Sequence, residues 1–204
     1  MIRLYFDTCI LNDFFALIQY EYGEGMRAKD VKAPLSRWTP EYIALYYLLN
    51  LDDQWQLIFG TSETTLNEIK NFSPIGHIAH EKRAFLERAY CELSKNWESS
   101  SEPVSDAIVA RVNSLFGPGY DSTHICRAIQ NRWDFFLTTD FKTILNNLVA
   151  VREIENKIKI RSPLQFLEEN LLPLSTLIRT LHGSWTDIDT FITTFSFDLN
   201  QLRN

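Results

Sequence analysis

The sequence predicts an α/β fold in which a parallel β-sheet is covered on both faces by helices. Short apolar runs with no polar face alternate along the chain with longer segments whose apolar residues recur at three- and four-residue steps. A strand with no polar face is typical of a sheet that is covered on both sides. Strands that alternate with helices pair in parallel, because each helix returns the chain to the edge of the sheet where the next strand begins.

The first half of the chain is predicted to hold two strands, each followed by helical sequence. A proline in the first turn after Thr39 is typical of a helix start. Gly60 ends the second strand. In chain order the predicted elements are a strand over Ile2 to Phe6, a helix over Ile10 to Tyr22, a helix over Tyr42 to Leu49, a strand over Trp55 to Phe59 and a short helix that starts at Ser62.

The second half continues the alternation and ends in helical sequence. Lys157 to Ile160 alternates polar and apolar residues, which predicts an edge strand with one wet face. The other predicted elements are helices over Ile78 to Leu93, up to Phe116, over Asp121 to Arg132 and over Pro163 to Leu171, and a strand over Phe135 to Thr139. We therefore expect one domain over residues 1–170 and a packed C-terminal helical extension over residues 171–204.

Composition narrows the class of protein. Apolar residues make up 45% and aromatic residues 13% of the chain, which is typical of a globular domain.

The chain has three cysteines, an odd number, and they do not follow C-x-x-C spacing. This argues against a disulfide framework or a zinc knuckle and favours a reducing cytoplasm. No apolar run approaches the ~18 residues of a membrane span. The net charge of -6 means that a polyanionic partner needs local basic patches or bound cations.

Acidic residues follow two of the predicted strands. Asp7 comes after the first strand and Asp140 after the third, and ligands of open α/β sheets bind at the carboxyl ends of strands. Asp121 lies at a predicted helix start, and Glu68 lies in a short helix where Glu63 is a competing candidate. Each aspartate alone is equally well explained as a helix cap, and a solvated surface position would explain Glu68.

The combination of acids is more informative than any one of them. Four carboxylates at the ends of neighbouring elements repel one another unless a cation lies between them. Oxygen ligands alone suit Mg²⁺ or Mn²⁺. Such an ion lowers the pKa of bound water and stabilises charge on a phosphoryl oxygen, which predicts phosphodiester hydrolysis.

The ordered set of acidic motifs resembles the PIN domain over roughly residues 1–170. The matching stretches are Phe6-Asp7-Thr8-Cys9-Ile10-Leu11, Glu68, Asp121-x-x-His124-x-x-x-Ala128, Leu137-Thr138-Thr139-Asp140 and Ile158 to Leu167. The resemblance implies a sheet sandwiched by helices and an acidic metal site. Many members of the family cleave single-stranded RNA, including toxins of toxin–antitoxin pairs.

The resemblance also implies roles for individual residues. His124 is expected to orient a neighbour or to pack rather than to bind metal. Thr8 and Thr139, beside the first and last acids, are expected to form supporting hydrogen bonds. The expected catalytic and metal-binding residues are Asp7, Glu68, Asp121 and Asp140, with Mg²⁺ or Mn²⁺ as cofactor.

Some basic and aromatic residues are candidates for RNA contacts. Tyr120, beside Asp121, is a candidate for stacking on a base, with core packing as the alternative. Ordinary surface charge is the alternative for each of the basic candidates, which are Lys70, Arg127, Arg132 and Lys142.

Three functions are therefore compared. The first is a metal-dependent endoribonuclease whose partners are RNA, a protein inhibitor such as an antitoxin, and a second copy of the chain. The second is a catalytically inactive PIN-like module that binds a protein through Phe191, Phe195, Phe197 and Leu202; core coverage is the alternative for those residues. The third, a haloacid-dehalogenase-like phosphatase, is disfavoured because Cys9 stands where that mechanism needs a second acid.

Overall fold

A computed structural model describes residues 1–22, 40–49, 57–71, 77–96 and 104–171. The predicted C-terminal extension, apart from Leu171, lies outside these ranges, as do residues 23–39 and 50–56. The elements in chain order are β1 (Ile2–Phe6), α1 (Thr8–Tyr22), α2 (40–49), β2 (Leu57–Gly60), α3 (Glu63–Asn71), α4 (His77–Leu93), α5 (Asp106–Phe116), α6 (Tyr120–Gln130), β3 (Phe135–Leu137), α7 (Leu148–Ile154), β4 (Lys159–Arg161) and α8 (Pro163–Asn170).

The four described strands form one parallel sheet in the order β2-β1-β3-β4. Leu4 aligns with Phe59 of β2 on one side and with Phe135 of β3 on the other. The predicted α/β class with a parallel sheet is thus confirmed, and β4 is an edge strand of the described sheet, as its alternating sequence predicts.

The two faces of the sheet have separate apolar cores. Alternate residues of a strand point to opposite faces. Leu4 and Phe6 belong to the larger cluster, which also includes apolar residues of α1, α2, α4 and α8. Tyr5 points to the other face and belongs to the smaller cluster, which includes residues of α5, α6 and α7. Helices therefore cover both faces, which explains why the central strands have no polar side.

Two features between β3 and β4 are additional to the predicted elements. Asp140 begins a π-helical turn over Phe141–Leu145, and α7 follows it. Helix α7 has only seven residues, too few for a clear helical period in the sequence. Its place in the fold depends on buried contacts of Val151 and Ile154 with the smaller cluster.

Two long-range contacts attach peripheral elements to the sheet. The carboxylate of Glu41 in α2 accepts hydrogen bonds from the Ser162 hydroxyl (2.8 Å) and the Leu164 amide (2.9 Å) at the start of α8, where a negative charge is favourable.

In β2, a Cβ added to Gly60 would lie 2.3 Å from the Trp133 ring, so only glycine allows this approach. In the described ranges, every helix is too short or too polar to cross a membrane.

Candidate acidic site

The candidate site lies where the strand order changes direction. From β1 the chain passes to β2 on one side and later to β3 on the other, so the carboxyl ends of β1 and β3 border the topological switch point of the sheet. Asp7 directly follows β1, and its amide donates to the Leu137 carbonyl at the end of β3 (3.3 Å). Asp140 lies three residues after Leu137, and its amide donates to the Thr138 hydroxyl (3.0 Å). Two of the predicted acids therefore border this crevice.

Asp7 is a buried carboxyl that also caps a helix. Its Oδ1 accepts from the Ile10 amide (3.1 Å) in the first turn of α1, and only 4% of the residue is exposed. Burial raises the pKa of Asp7 to about 8, against the lowering effect of hydrogen bonds from Thr138 and Ile10, and the charges of Glu68 and Asp13 raise it further. Capping and a role in the acidic site are thus compatible for this residue.

Glu68, rather than Glu63, faces Asp7. The Oε2 atom of Glu68 accepts hydrogen bonds from the Thr8 hydroxyl and lies 3.1 Å from Nε2 of the buried His124. Glu63 points away and forms an ion pair with Arg127 (2.8 Å). The two glutamates of α3 thus differ in position, with Glu68 at the site and Glu63 at the surface.

Asp121 and Asp140 converge on one hydroxyl group. The Thr143 Oγ1 atom lies 3.0 Å from Oδ2 of Asp121 and also contacts Oδ2 of Asp140. The N-cap position of α6 is held by Gly119, so capping does not account for Asp121. Burial raises the pKa of Asp121, and the charges of Asp140 and Glu68 add to this effect.

A fifth acid, Asp13, lies beside the predicted four. Its Oδ2 accepts from the Thr139 hydroxyl and its Oδ1 from the Tyr42 hydroxyl (3.2 Å). Burial raises the pKa of Asp13 to about 6, while both hydrogen bonds and the charge of Lys82 act to lower it. The sequence contains one signal for this residue, an acid between the apolar stretches Ile10-Leu11 and Phe14 to Ile18 of α1. Thr139 therefore supports Asp13, and Thr138 supports Asp7 and Asp140.

The pKa of the Cys9 thiol is sensitive to how close the neighbouring carboxylates lie. Its pKa is raised well above the ordinary range by the charge of Asp7, by burial, and by the charges of Asp140, Asp13 and Asp121. Four carboxylates are thus within electrostatic reach of one sulfur atom. In the described ranges, no ion pair joins any of these four to a lysine or arginine.

The carboxylates are oriented toward hydroxyl donors. Across residues 1–22, 40–49, 57–71, 77–96 and 104–171, no three His, Cys, Asp or Glu side chains form a group that could hold a metal ion in their present orientations. The side chains that instead receive hydrogen bonds from threonines are Asp7, Asp13, Glu68, Asp121 and Asp140. Metal binding would require small rotations of these side chains.

The predicted RNA-binding residues are distributed unevenly around the site. Lys142 lies two residues after Asp140 and is exposed, as is Lys70 in the last turn of α3. Arg127 forms an ion pair with Glu63, which partly neutralises its charge. Arg132 precedes β3 and therefore lies at the opposite, amino-terminal edge of the sheet, where its φ is 54°. We leave Arg132 out of the candidate interface.

Tyr120 is an exposed aromatic residue at the rim of the site. It is 44% exposed, which argues against the core-packing alternative. Its hydroxyl accepts a hydrogen bond from Asn71 (2.6 Å), which joins the start of α6 to the end of α3. The ring is therefore held next to Asp121.

Comparisons of the chain with protein-family models, with curated proteins and with solved structures gave no match.

Proposed function

We propose that the chain is a PIN-like, divalent-metal-dependent endoribonuclease that hydrolyses phosphodiester bonds of single-stranded RNA. The observation that carries the proposal is the convergence of Asp7, Asp121 and Asp140 at the switch point, with Glu68 beside them. Within the described ranges these carboxylates are joined to no lysine or arginine. Acids whose pKa values are raised by burial and by neighbouring carboxylates, as those of Asp7 and Asp121 are, are typical of functional sites.

The donor atoms fit a hard cation. All of the candidate ligands are carboxylate oxygens, which suit Mg²⁺ or Mn²⁺. Thr143 has one hydroxyl proton but contacts Oδ2 atoms of both Asp121 and Asp140. One hydroxyl proton can be donated to only one of the two oxygens at a time and carries no net charge, so a positive charge would be favourable when both carboxylates are ionised. A divalent cation supplies that charge.

Each residue of the acidic site would have a separate role in binding the ion. Asp7, Asp121 and Asp140 would hold the ion at the mouth of the crevice. Glu68 would present its Oε1 atom, because Oε2 is already held by Thr8 and His124. When bound, the ion activates water and stabilises charge on the phosphoryl oxygen. The threonine hydroxyls would then orient the carboxylates.

The choice of RNA as substrate rests on the resemblance to PIN domains, as does a toxin role with a protein inhibitor or antitoxin. Lys70 and Lys142 provide exposed positive charge near the acids, although the whole chain has a charge of -6. The exposed ring of Tyr120 offers a stacking surface for an unpaired base. A single strand, with unstacked bases, suits such a surface better than a duplex.

The proposal is tested by cleavage of a fluorescent single-stranded RNA in Mg²⁺ or Mn²⁺. We expect cleavage that EDTA abolishes and that Asp7→Asn and Asp140→Asn each reduce by about 100-fold or more, the range seen when a group that stabilises transition-state charge is removed. The control is Asp106→Asn, which changes an exposed aspartate in the first turn of α5. Wild-type rates in both site variants would exclude the mechanism.

The second candidate function is a catalytically inactive PIN-like interaction module. The orientation of the carboxylates favours it, because the described side chains form no ready-made metal-binding group. Manganese binding distinguishes the two functions. Retained Mn²⁺ binding that Asp140→Asn weakens would support the enzyme, whereas no binding and no cleavage would support the module.

A further inference from the structure

A chain of hydrogen-bonded side chains runs from Glu68 into the smaller core cluster. Nε2 of His124 lies 3.1 Å from Oε2 of Glu68, and Nδ1 lies 2.5 Å from the Tyr5 hydroxyl. The Tyr5 hydroxyl lies 2.7 Å from Oγ of Ser62. His124 is 2% exposed, Ser62 is 1% exposed and Tyr5 is fully buried. Only the Glu68 end of this chain reaches the acidic site.

One assignment of protons is consistent with all of these contacts. An ionised carboxylate only accepts hydrogen bonds, so His124 must carry a proton on Nε2 in order to donate to Glu68. In a neutral ring Nδ1 is then an acceptor, and the Tyr5 hydroxyl donates to it. Ser62 can donate to the Tyr5 oxygen while its Oγ accepts from the Thr64 amide (3.3 Å). In this neutral-ring assignment the direction of donation runs from the core toward Glu68.

The aromatic packing holds the phenol of Tyr5 in a defined position. Its ring is stacked on Phe136, with centroids 5.4 Å apart, and meets the rings of Trp133 and His124 edge to face. Burial raises the pKa of the Tyr5 phenol, which keeps it protonated as a donor. A residue this constrained can orient its neighbour.

We propose that Tyr5 is a positioning residue that acts through His124 on Glu68. By donating to Nδ1, Tyr5 fixes the tautomer in which Nε2 carries the proton and fixes the plane of the ring. His124 and Thr8 then hold Oε2 of Glu68, which turns Oε1 toward the metal proposed above. Partners that orient a metal ligand from behind typically change metal affinity by about 10- to 100-fold when removed. This inference rests on the proposed function.

The test combines a tautomer measurement with metal affinity in the full chain. Long-range ¹H–¹⁵N NMR of the His124 ring should show the proton on Nε2 in the wild type and a mixture or the other tautomer in Tyr5→Phe. Mn²⁺ should bind Tyr5→Phe about 10- to 100-fold more weakly than the wild type. The matched control is Tyr90→Phe, which removes a phenol that packs against the core of the other sheet face and should change neither reading.

A second variant keeps the test decisive if Tyr5→Phe is poorly folded. His124→Gln retains an N–H donor near the Nε2 position, whereas His124→Leu removes it. We expect Mn²⁺ affinity to be largely preserved in His124→Gln and lowered in His124→Leu. Adding Tyr5→Phe to His124→Leu should have no further effect on affinity, because residues that act through one another are not additive.

The outcomes separate this inference from the proposed function. A proton on Nδ1 in the wild type, or unchanged Mn²⁺ affinity in folded Tyr5→Phe, would overturn the role of Tyr5 whether or not RNA is cleaved. Weakened Mn²⁺ binding in Tyr5→Phe without any RNA cleavage by the wild type would support the role of Tyr5 and reject the nuclease. If the wild type binds no Mn²⁺, the role of Tyr5 in orienting a metal ligand is overturned, whichever tautomer the NMR assignment shows.

Discussion

Two groups of carboxylates, one beside the edge strand β4 and one at the carboxyl ends of β1 and β3, differ in what neutralises them. Beside β4, Glu155 and Glu169 both accept hydrogen bonds from the guanidinium of Arg161, and the hydrogen bond and charge of Arg161 lower the pKa of Glu155. At the ends of β1 and β3, burial and neighbouring acids raise the pKa values of Asp7 and Asp121.

The difference lies in the charge that each group of carboxylates retains. A guanidinium forms a permanent, geometrically matched partner for two carboxylates, and such a group needs no further ion. Hydroxyl groups donate hydrogen bonds to the acids around Asp7 but add no charge. The strand ends that border the switch point thus retain excess negative charge that an exchangeable cation can neutralise.

The largest expected effect is a dependence of the free energy of unfolding on pH. It arises from the acids at the ends of β1 and β3, above all Asp7, and not from the acids that Arg161 neutralises. The pKa of Asp7 is about 8 in the folded chain, well above the 3.8 of an unperturbed aspartate carboxyl. Between these values the folded state retains a proton that the unfolded state has released, so the free energy of unfolding in EDTA should fall as the pH rises from about 4 to about 8. One pKa unit corresponds to about 1.4 kcal/mol, so the total loss amounts to several kcal/mol.

Urea denaturation at pH 5 and pH 8 measures this effect. Asp7→Asn should remove much of the difference and stabilise the metal-free protein at pH 8. Mn²⁺ added to the wild type at pH 8 should restore stability, because a ligand that binds only the folded state stabilises it. A metal-free wild type that is equally stable at both pH values would show that Asp7 is ionised without penalty.

A fixed cation placed in the acidic site should convert it into a structural cluster. Thr143 is exposed and contacts both Asp121 and Asp140. In Thr143→Arg the guanidinium can pair with both carboxylates, so Mn²⁺ binding and metal-dependent cleavage should fall by about 100-fold, as for loss of a charge-stabilising group. Calorimetry and the RNA assay measure the two quantities.

The control for this change is Thr143→Val, which removes the hydroxyl without adding charge. It should retain Mn²⁺ binding within a few-fold, since the metal replaces the hydrogen bond. Equal loss in both variants would mean that the hydroxyl, and not the charge balance, is what the site requires.

The smallest expected effect concerns the compensated group. Arg161→Met leaves Glu155 and Glu169 without their partner, and the free energy of unfolding should fall by about 1 kcal/mol, the upper part of the range for partly exposed ion pairs. Mn²⁺ affinity should not change. A large loss of Mn²⁺ binding in this variant, measured by calorimetry, would show that the two groups of carboxylates are not independent.

The strands and most helices could be predicted because their patterns are local. The apolar runs around Leu4 and Phe136 and the Ser162-Pro163 helix start each carry their signal within a few residues. Helix α7 and the turn that precedes it could not be predicted, because seven residues span about two turns. Their structure depends on contacts with the smaller core cluster.

The candidate site was predictable to a lesser extent. Asp7 and Asp140 follow strands of a parallel sheet, and the carboxyl ends of such strands meet at one edge. Asp13 was overlooked because an acid inside a helix has no position relative to the sheet until the helix has packed. The role of Thr143 depends on a turn that has no sequence signal. Arg132 is near the acids in sequence but precedes β3, so it lies at the other edge of the sheet.

By itself, the sequence determined the parallel α/β class and the position of two acids directly after central strands, because burial periodicity and chain direction are local properties. Only the tertiary structure decided which side of α3 faces the site, and so selected Glu68 over Glu63. It also decided that Arg161 neutralises one group of acids, while the other group accepts hydrogen bonds from threonine hydroxyls and, in the described ranges, has no lysine or arginine in an ion pair with it. Such contacts depend on how helices rotate and pack against the sheet, which residues close together in the chain do not specify.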